Sequence, residues 1–221
     1  MSNAWAASVF GALLAAAAAG CSGTTPKVRG VPEEGIAAVV VGGRFITPEG
    51  ETESGRLIIN LEGEGDRRAE VYRLPILPRQ SLLYQVEPGP YRIGPTRNIL
   101  GFPQPLLKVR IRGKTYTLRF PPDVLRKPKM DIRPKKIVSI GVFEVRLQQA
   151  LPGQPPLVKV RLDDSVDTRR KIVQDIIHQM MDPQTNLDTR ESAVAWSRAL
   201  QNTLMELVAE VDRAPLFKSG P

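Results

Sequence analysis

Few side chains in this sequence could do covalent or proton chemistry. The 221 residues include one cysteine, Cys21, and one histidine, His178. A thiolate–imidazole pair would have to join these two, and Cys21 sits near the N-terminus beyond an alanine run. A single cysteine excludes an internal disulfide and a multi-cysteine zinc site, and a single histidine excludes a histidine-rich metal site. No metal or cofactor is therefore expected. His178 lies among Gln174, Asp175 and Gln179, the composition of a wet helix face. Asp163 and Asp164 are adjacent acids where a strand pattern gives way to a helix pattern, which is a helix-start signal rather than an acid–base pair. Ser81 and Ser139 have no lysine at the spacing of a Ser/Lys mechanism.

Cys21 has a specific context. Residues 4–19 carry no charge and end in five alanines, followed by Gly20 and the cysteine. As a helix this run would reach about 24 Å, short of a hydrocarbon core of about 30 Å. That length suits the apolar region of a secretory signal, and the small residues Ala18, Ala19 and Gly20 suit a peptidase cleft. The segment "AAGC" resembles the lipobox of bacterial lipoproteins, with Ala18 where that family usually has leucine. The resemblance implies cleavage before Cys21 and a diacylglyceryl group on its sulfur. Residues 1–20 would be a signal peptide and residues 21–34 a flexible tether. Ser22 after the cysteine resembles lipoproteins sorted to the outer membrane of Gram-negative cells. The implied location is the cell envelope, with the chain held at the membrane by its N-terminal lipid.

The formal net charge of +8 is unevenly placed. Residues 91–136 carry thirteen Lys or Arg against Asp123 and Asp131, a net +11, so the remainder is slightly acidic. Lys108, Arg110 and Arg112 alternate with Leu107, Val109 and Ile111, the period of a strand with one face in water. Lys114 follows at a turn. Arg126, Lys127, Lys129, Arg133, Lys135 and Lys136 follow in a proline-broken loop that could lie beside them. Such a face would attract an acidic partner or anionic headgroups. Nucleic acid is not expected: aromatics are 5% of the chain and are not interleaved with the basic residues as a stacking platform would be.

The elements that position these residues are mainly strands. Period-two or continuous apolar runs at 36–43, 56–62, 69–77, 82–86, 91–93, 107–111, 115–120, 136–147 and 157–162 are separated by segments rich in the chain's 20 prolines and 18 glycines. No helix-period segment lies between them, which predicts an antiparallel β-sandwich over residues 35–162, folding without help from the rest. After Asp163 the period becomes helical. Ile172, Val173, Ile176, Ile177, Met180 and Met181 share one helix face, with Ser165 or Asp167 as its cap. Trp196, Leu200, Leu204, Leu207 and Val211 share a second, opened by an Asp188–Glu191 capping box. A short linker makes residues 163–213 a C-terminal α-helical hairpin, leaving residues 214–221 as a tail. The hairpin packs on the sandwich, closes against itself as a small satellite core, or presents Trp196 or the Met180–Met181 pair to a partner.

The hairpin "VEPGPYRI" resembles one in transthyretin-like and carboxypeptidase-regulatory-like sandwich modules, and "KKIVSIGVFEV" is similar to a strand of some bacterial lipoprotein β-domains. Both resemblances imply an interaction or scaffold module and carry no catalytic residue across. The expected function is a non-enzymatic, membrane-anchored envelope lipoprotein that binds other envelope proteins. The alternative is an envelope hydrolase or transferase using a carboxylate or serine.

Overall fold

The computed structural model describes residues 37–67, 70–95, 106–127, 129–149, 154, 156–181 and 190–213. Eleven strands are described: β1 (Ala37–Thr47), β2 (Gly50–Glu51), β3 (Gly55–Gly63), β4 (Val71–Ile76), β5 (Gln80–Val86), β6 (Gly89–Gly94), β7 (Leu106–Ile111), β8 (Lys114–Arg119), β9 (Met130–Ile132), β10 (Ile137–Gln148) and β11 (Leu157–Asp163). A one-turn helix, α1 (Pro122–Leu125), precedes β9, and α2 (Val166–Met181) and α3 (Arg190–Arg213) follow β11. The molecule is thus mainly β with a C-terminal helical region. Cys21, the tether, the Asp188 cap and the tail lie outside the described residues.

The first sheet runs β11-β10-β1, with β5 and β2 both pairing with β1. The second runs β8-β7-β3-β6-β9, with β4 also on β3. One expectation is corrected here. β1 and β10 are parallel, in register from Ala38↔Ile137 to Ile46↔Arg146, whereas the pattern pointed to antiparallel pairing throughout. The physical reason is burial on both faces, which parallel strands require and which a continuous apolar run provides. Val39, Val41 and Phe45 belong to an apolar cluster shared with Leu57, Ile59 and Leu61 of the second sheet. Ala38 and Val40, on the opposite face, belong to a second cluster with Ile172, Val173, Ile176, Trp196 and Leu200 of the helices.

A β-bulge keeps β10 compatible with both clusters. Val40 pairs with Ser139, but Val41 pairs with Gly141, so the register slips at Ile140. A one-residue slip reverses which face each later side chain takes. Ile137 therefore joins the helices, while Phe143 and Val145 join the sheet-to-sheet cluster. Gly141 is required at this point. Its φ is +122°, and a Cβ there would sit 2.3 Å from the Asp163 carbonyl oxygen.

Helix α2 starts where the acidic pair predicts. Ser165 Oγ accepts from Thr168 N at 3.4 Å, and Asp163 accepts from Ser165 N at 3.1 Å and from Thr168 Oγ1 at 2.8 Å. The Thr168 hydroxyl, followed by the Ser165 bonds, holds the Asp163 carboxyl below its ordinary range. His178 is exposed, as its neighbours imply.

The apolar stripes of both helices cover the first sheet, and Trp196 is fully buried. Thr203 Oγ1 of α3 also donates to the Ile137 carbonyl at 3.2 Å. The helices therefore complete the cover over Ala38, Val40 and Ile137, and a chain ending near Leu162 would present that face to water. Trp196→Ala is the milder version of this loss. It should destabilise the fold by about 3–5 kcal/mol in a urea melt, the usual cost of truncating a buried tryptophan. A change under about 1 kcal/mol would mean that α3 is not part of the cooperative unit.

Candidate basic face of the second sheet

Strand β7 sorts its residues as the alternation predicts. Leu107, Val109 and Ile111 are buried, and Leu106, Lys108 and Arg110 are exposed. The sheet register adds residues from its neighbours. Arg56 of β3 stands directly opposite Arg110. Thr115 and Thr117 of β8 stand opposite Arg110 and Lys108, and Arg119 stands opposite Leu106. On the other side of β3, Arg73 of β4 stands opposite Asn60. Arg56, Arg73, Lys108, Arg110 and Arg119 are all exposed on this one face.

None of these five has a carboxylate within ion-pair distance among the described residues. Several other cations are paired with acids. Arg79 meets Glu53 at 2.6 Å, Arg146 meets Glu144 at 2.9 Å, Arg133 meets Asp131 at 3.4 Å and Arg169 meets Glu210 at 2.5 Å. Even the β6 end of the same sheet is compensated, since Arg92 lies 3.4 Å from the buried Glu62 and 3.8 Å from Glu64. Arg56 also makes itself felt inside: burial pushes the Tyr84 hydroxyl up to about 12, against the opposing pull of Arg56. Two arginines directly opposed across a strand pair disfavour the folded state.

The other residues singled out from the sequence are dispersed. Arg112 occupies the β7–β8 turn with φ +48° and pairs with Glu49 at 3.0 Å. Lys114 is exposed at the tip of that hairpin, and its register partner is the inward-facing Ile111. Arg126 is exposed just after α1. Lys127 forms an ion pair with Asp164 at the start of α2, and Lys136 forms one with Glu206 of α3. The loop cations therefore do not all join the β7 stripe; two of them fasten the helical region. Trp196 is fully buried in the cluster between the helices and the first sheet.

Arg56, Arg73 and Arg119 were not singled out from sequence. Each sits in an alternating segment, but only inter-strand register shows that they share a face with Lys108 and Arg110. Two clefts of about 440 and 450 Å³ flank α2. In the first, Ser81 donates to Asp175 at 3.2 Å, and Lys171 lines the same space. The second has an apolar floor that includes Ile93, Met130 and Leu162, rimmed by the Lys127–Asp164 and Arg169–Glu210 pairs. No group of three or more His, Cys, Asp or Glu among the described residues could hold a metal ion. No described helix is long and apolar enough to cross a membrane.

Neither a protein-family model nor a curated protein matches the chain.

The opposed arginines lead to a direct expectation. Arg110→Glu should convert the repulsive pair with Arg56 into an attractive one and raise stability by about 0.5–1 kcal/mol, the range of cross-strand charge pairs. The measurement is the urea midpoint at low and high salt. The gain should shrink as salt screens it. A lower midpoint at low salt would show that Arg110 is compensated.

Proposed function

We propose that the chain is a non-enzymatic lipoprotein of the cell envelope, held at the membrane through Cys21 and acting as a structural or interaction module. In this reading the two sheets are the layers of a β-sandwich, and α2 with α3 form a hairpin that closes one side. The anchoring part rests on the sequence "AAGC" around the single cysteine. The observation that carries the interaction part is the uncompensated basic face. It is a set of five exposed cations on one sheet, none of which has a carboxylate within ion-pair distance among the described residues. The outer membrane of a Gram-negative cell is the location that Ser22 favours, and other envelope proteins are the partners that a scaffold of this kind would meet.

Acyl chains anchor because each buried methylene contributes about 0.8 kcal/mol. Expressed in a Gram-negative host, the native chain should yield a mature form beginning at Cys21 with the added mass of a diacylglyceryl group. Cys21→Ser should leave the precursor uncut. An intact mass equal to unmodified residues 1–221, or a cut at another position, would remove the lipoprotein reading.

A further inference from the structure

We infer that the outer face of the second sheet lies against an anionic lipid headgroup layer. This rests on the proposed membrane anchoring and names the surface that the basic face meets.

The face presents its cations as one exposed patch. Strands β4, β3, β7 and β8 lie side by side, and neighbouring strands are about 4.8 Å apart, so the charged area is about 15 Å across. Arg56, Arg73, Lys108, Arg110 and Arg119 project from it, with Thr115 and Thr117 between them. With Arg56 and Arg110 opposed on adjacent strands, their fields add within a Debye length of about 8 Å.

A protein partner would call for different chemistry. Specific protein interfaces centre on buried aromatic or large apolar anchors in pockets. Among the described residues the only large apolar side chain strongly exposed on this face is Leu106, at its margin. Tyr116 and Leu118 of β8 are partly buried and pack against the interior cluster. Cations without anchors suit a diffuse surface of repeated negative charge. The first sheet differs. There Arg146 stands opposite Lys159 and Arg161 stands opposite Glu144, so its three cations share their face with a carboxylate that also pairs with Arg146 at 2.9 Å. The tether also permits the contact, since the fifteen residues between Cys21 and β1 can span at most about 50 Å.

The test uses the full-length Cys21→Ser chain, so that it is independent of lipidation. Its partitioning is measured onto phosphatidylcholine vesicles with and without phosphatidylglycerol. The ratio of the two partition coefficients cancels any contribution of the apolar leader. Each basic residue at an anionic surface multiplies partitioning about fivefold. The ratio should be well above one at low salt and fall toward one as salt rises. Arg56→Gln, Arg110→Gln and Arg119→Gln together should lower it about tenfold or more. The control Arg146→Gln, Lys159→Gln and Arg161→Gln removes the same charge from the first sheet and should leave most of it. Thermal melts of both variants establish that they are folded. An equal loss in the control would reduce the effect to net charge and overturn the inference. A ratio near one, with the chain instead retained on a polyglutamate matrix through the same three arginines, would overturn it in favour of an acidic protein. Failure of Cys21 to be lipidated leaves this result intact, and the reverse also holds.

Discussion

Burial of the parallel β1–β10 pair on both faces is the constraint on which the rest of the structure depends. Ala38 to Val41 are essentially inaccessible, and every one of them needs an apolar neighbour. One face obtains it from the second sheet and the other from α2 and α3. Neither source could be removed without exposing a continuous hydrocarbon surface. Burial contributes about 25 cal/mol per Å², so each large side chain in these clusters contributes about 1.5–3 kcal/mol. The bulge at Ile140 lets one strand feed both clusters, and Gly141 makes the bulge sterically possible.

The same alternation that builds the interior determines where charge appears. Once Leu107, Val109 and Ile111 face inward, Lys108 and Arg110 must face out, and pairing to β3 and β8 brings Arg56 and Arg119 alongside. A surface selected for stability alone would place a carboxylate opposite Arg110. The chain does this elsewhere, placing Glu49 by Arg112, Glu62 by Arg92 and Glu206 by Lys136. An exposed surface ion pair contributes little, about 0–1 kcal/mol, but the contrast between faces is one of placement rather than of energy. Basic residues near the helices fasten the helical region, and those on β3, β4, β7 and β8 remain displayed.

Much of this was legible in the sequence, because short-range periodicity depends only on local geometry. Nine of the eleven strand positions, the change of period at Asp163, the cap at Ser165 and the outward course of Lys108 and Arg110 follow from spacing, whereas β2 and β9 are too short to show a period and β9 lies in a stretch that reads as a loop. The parallel β1–β10 pairing was not legible. A continuous apolar run announces burial on both faces but does not say which distant segment lies beside it. Arg56 and Arg73 escaped notice for the same reason, since inter-strand register is a property of the assembled sheet. Spacing alone puts Lys127 and Lys136 in a loop stripe, because their partners, Asp164 and Glu206, come from elements far along the chain. Trp196 on an apolar helix stripe is compatible with either a core or a docking surface, and only the bare face of β1 decides between them.

Native-state hydrogen exchange tests most directly whether the two-sided burial of β1 and β10 holds the molecule together. If it does, amides of Val39–Val41 in β1, Phe143–Val145 in β10 and Ile172–Ile177 in α2 should exchange only through global unfolding, with one shared free energy and one shared denaturant dependence. Exchange in α2 and α3 at a much lower free energy, with β1 and β10 still fully protected, would contradict this. It would show that the helices are an appended layer rather than half of the core.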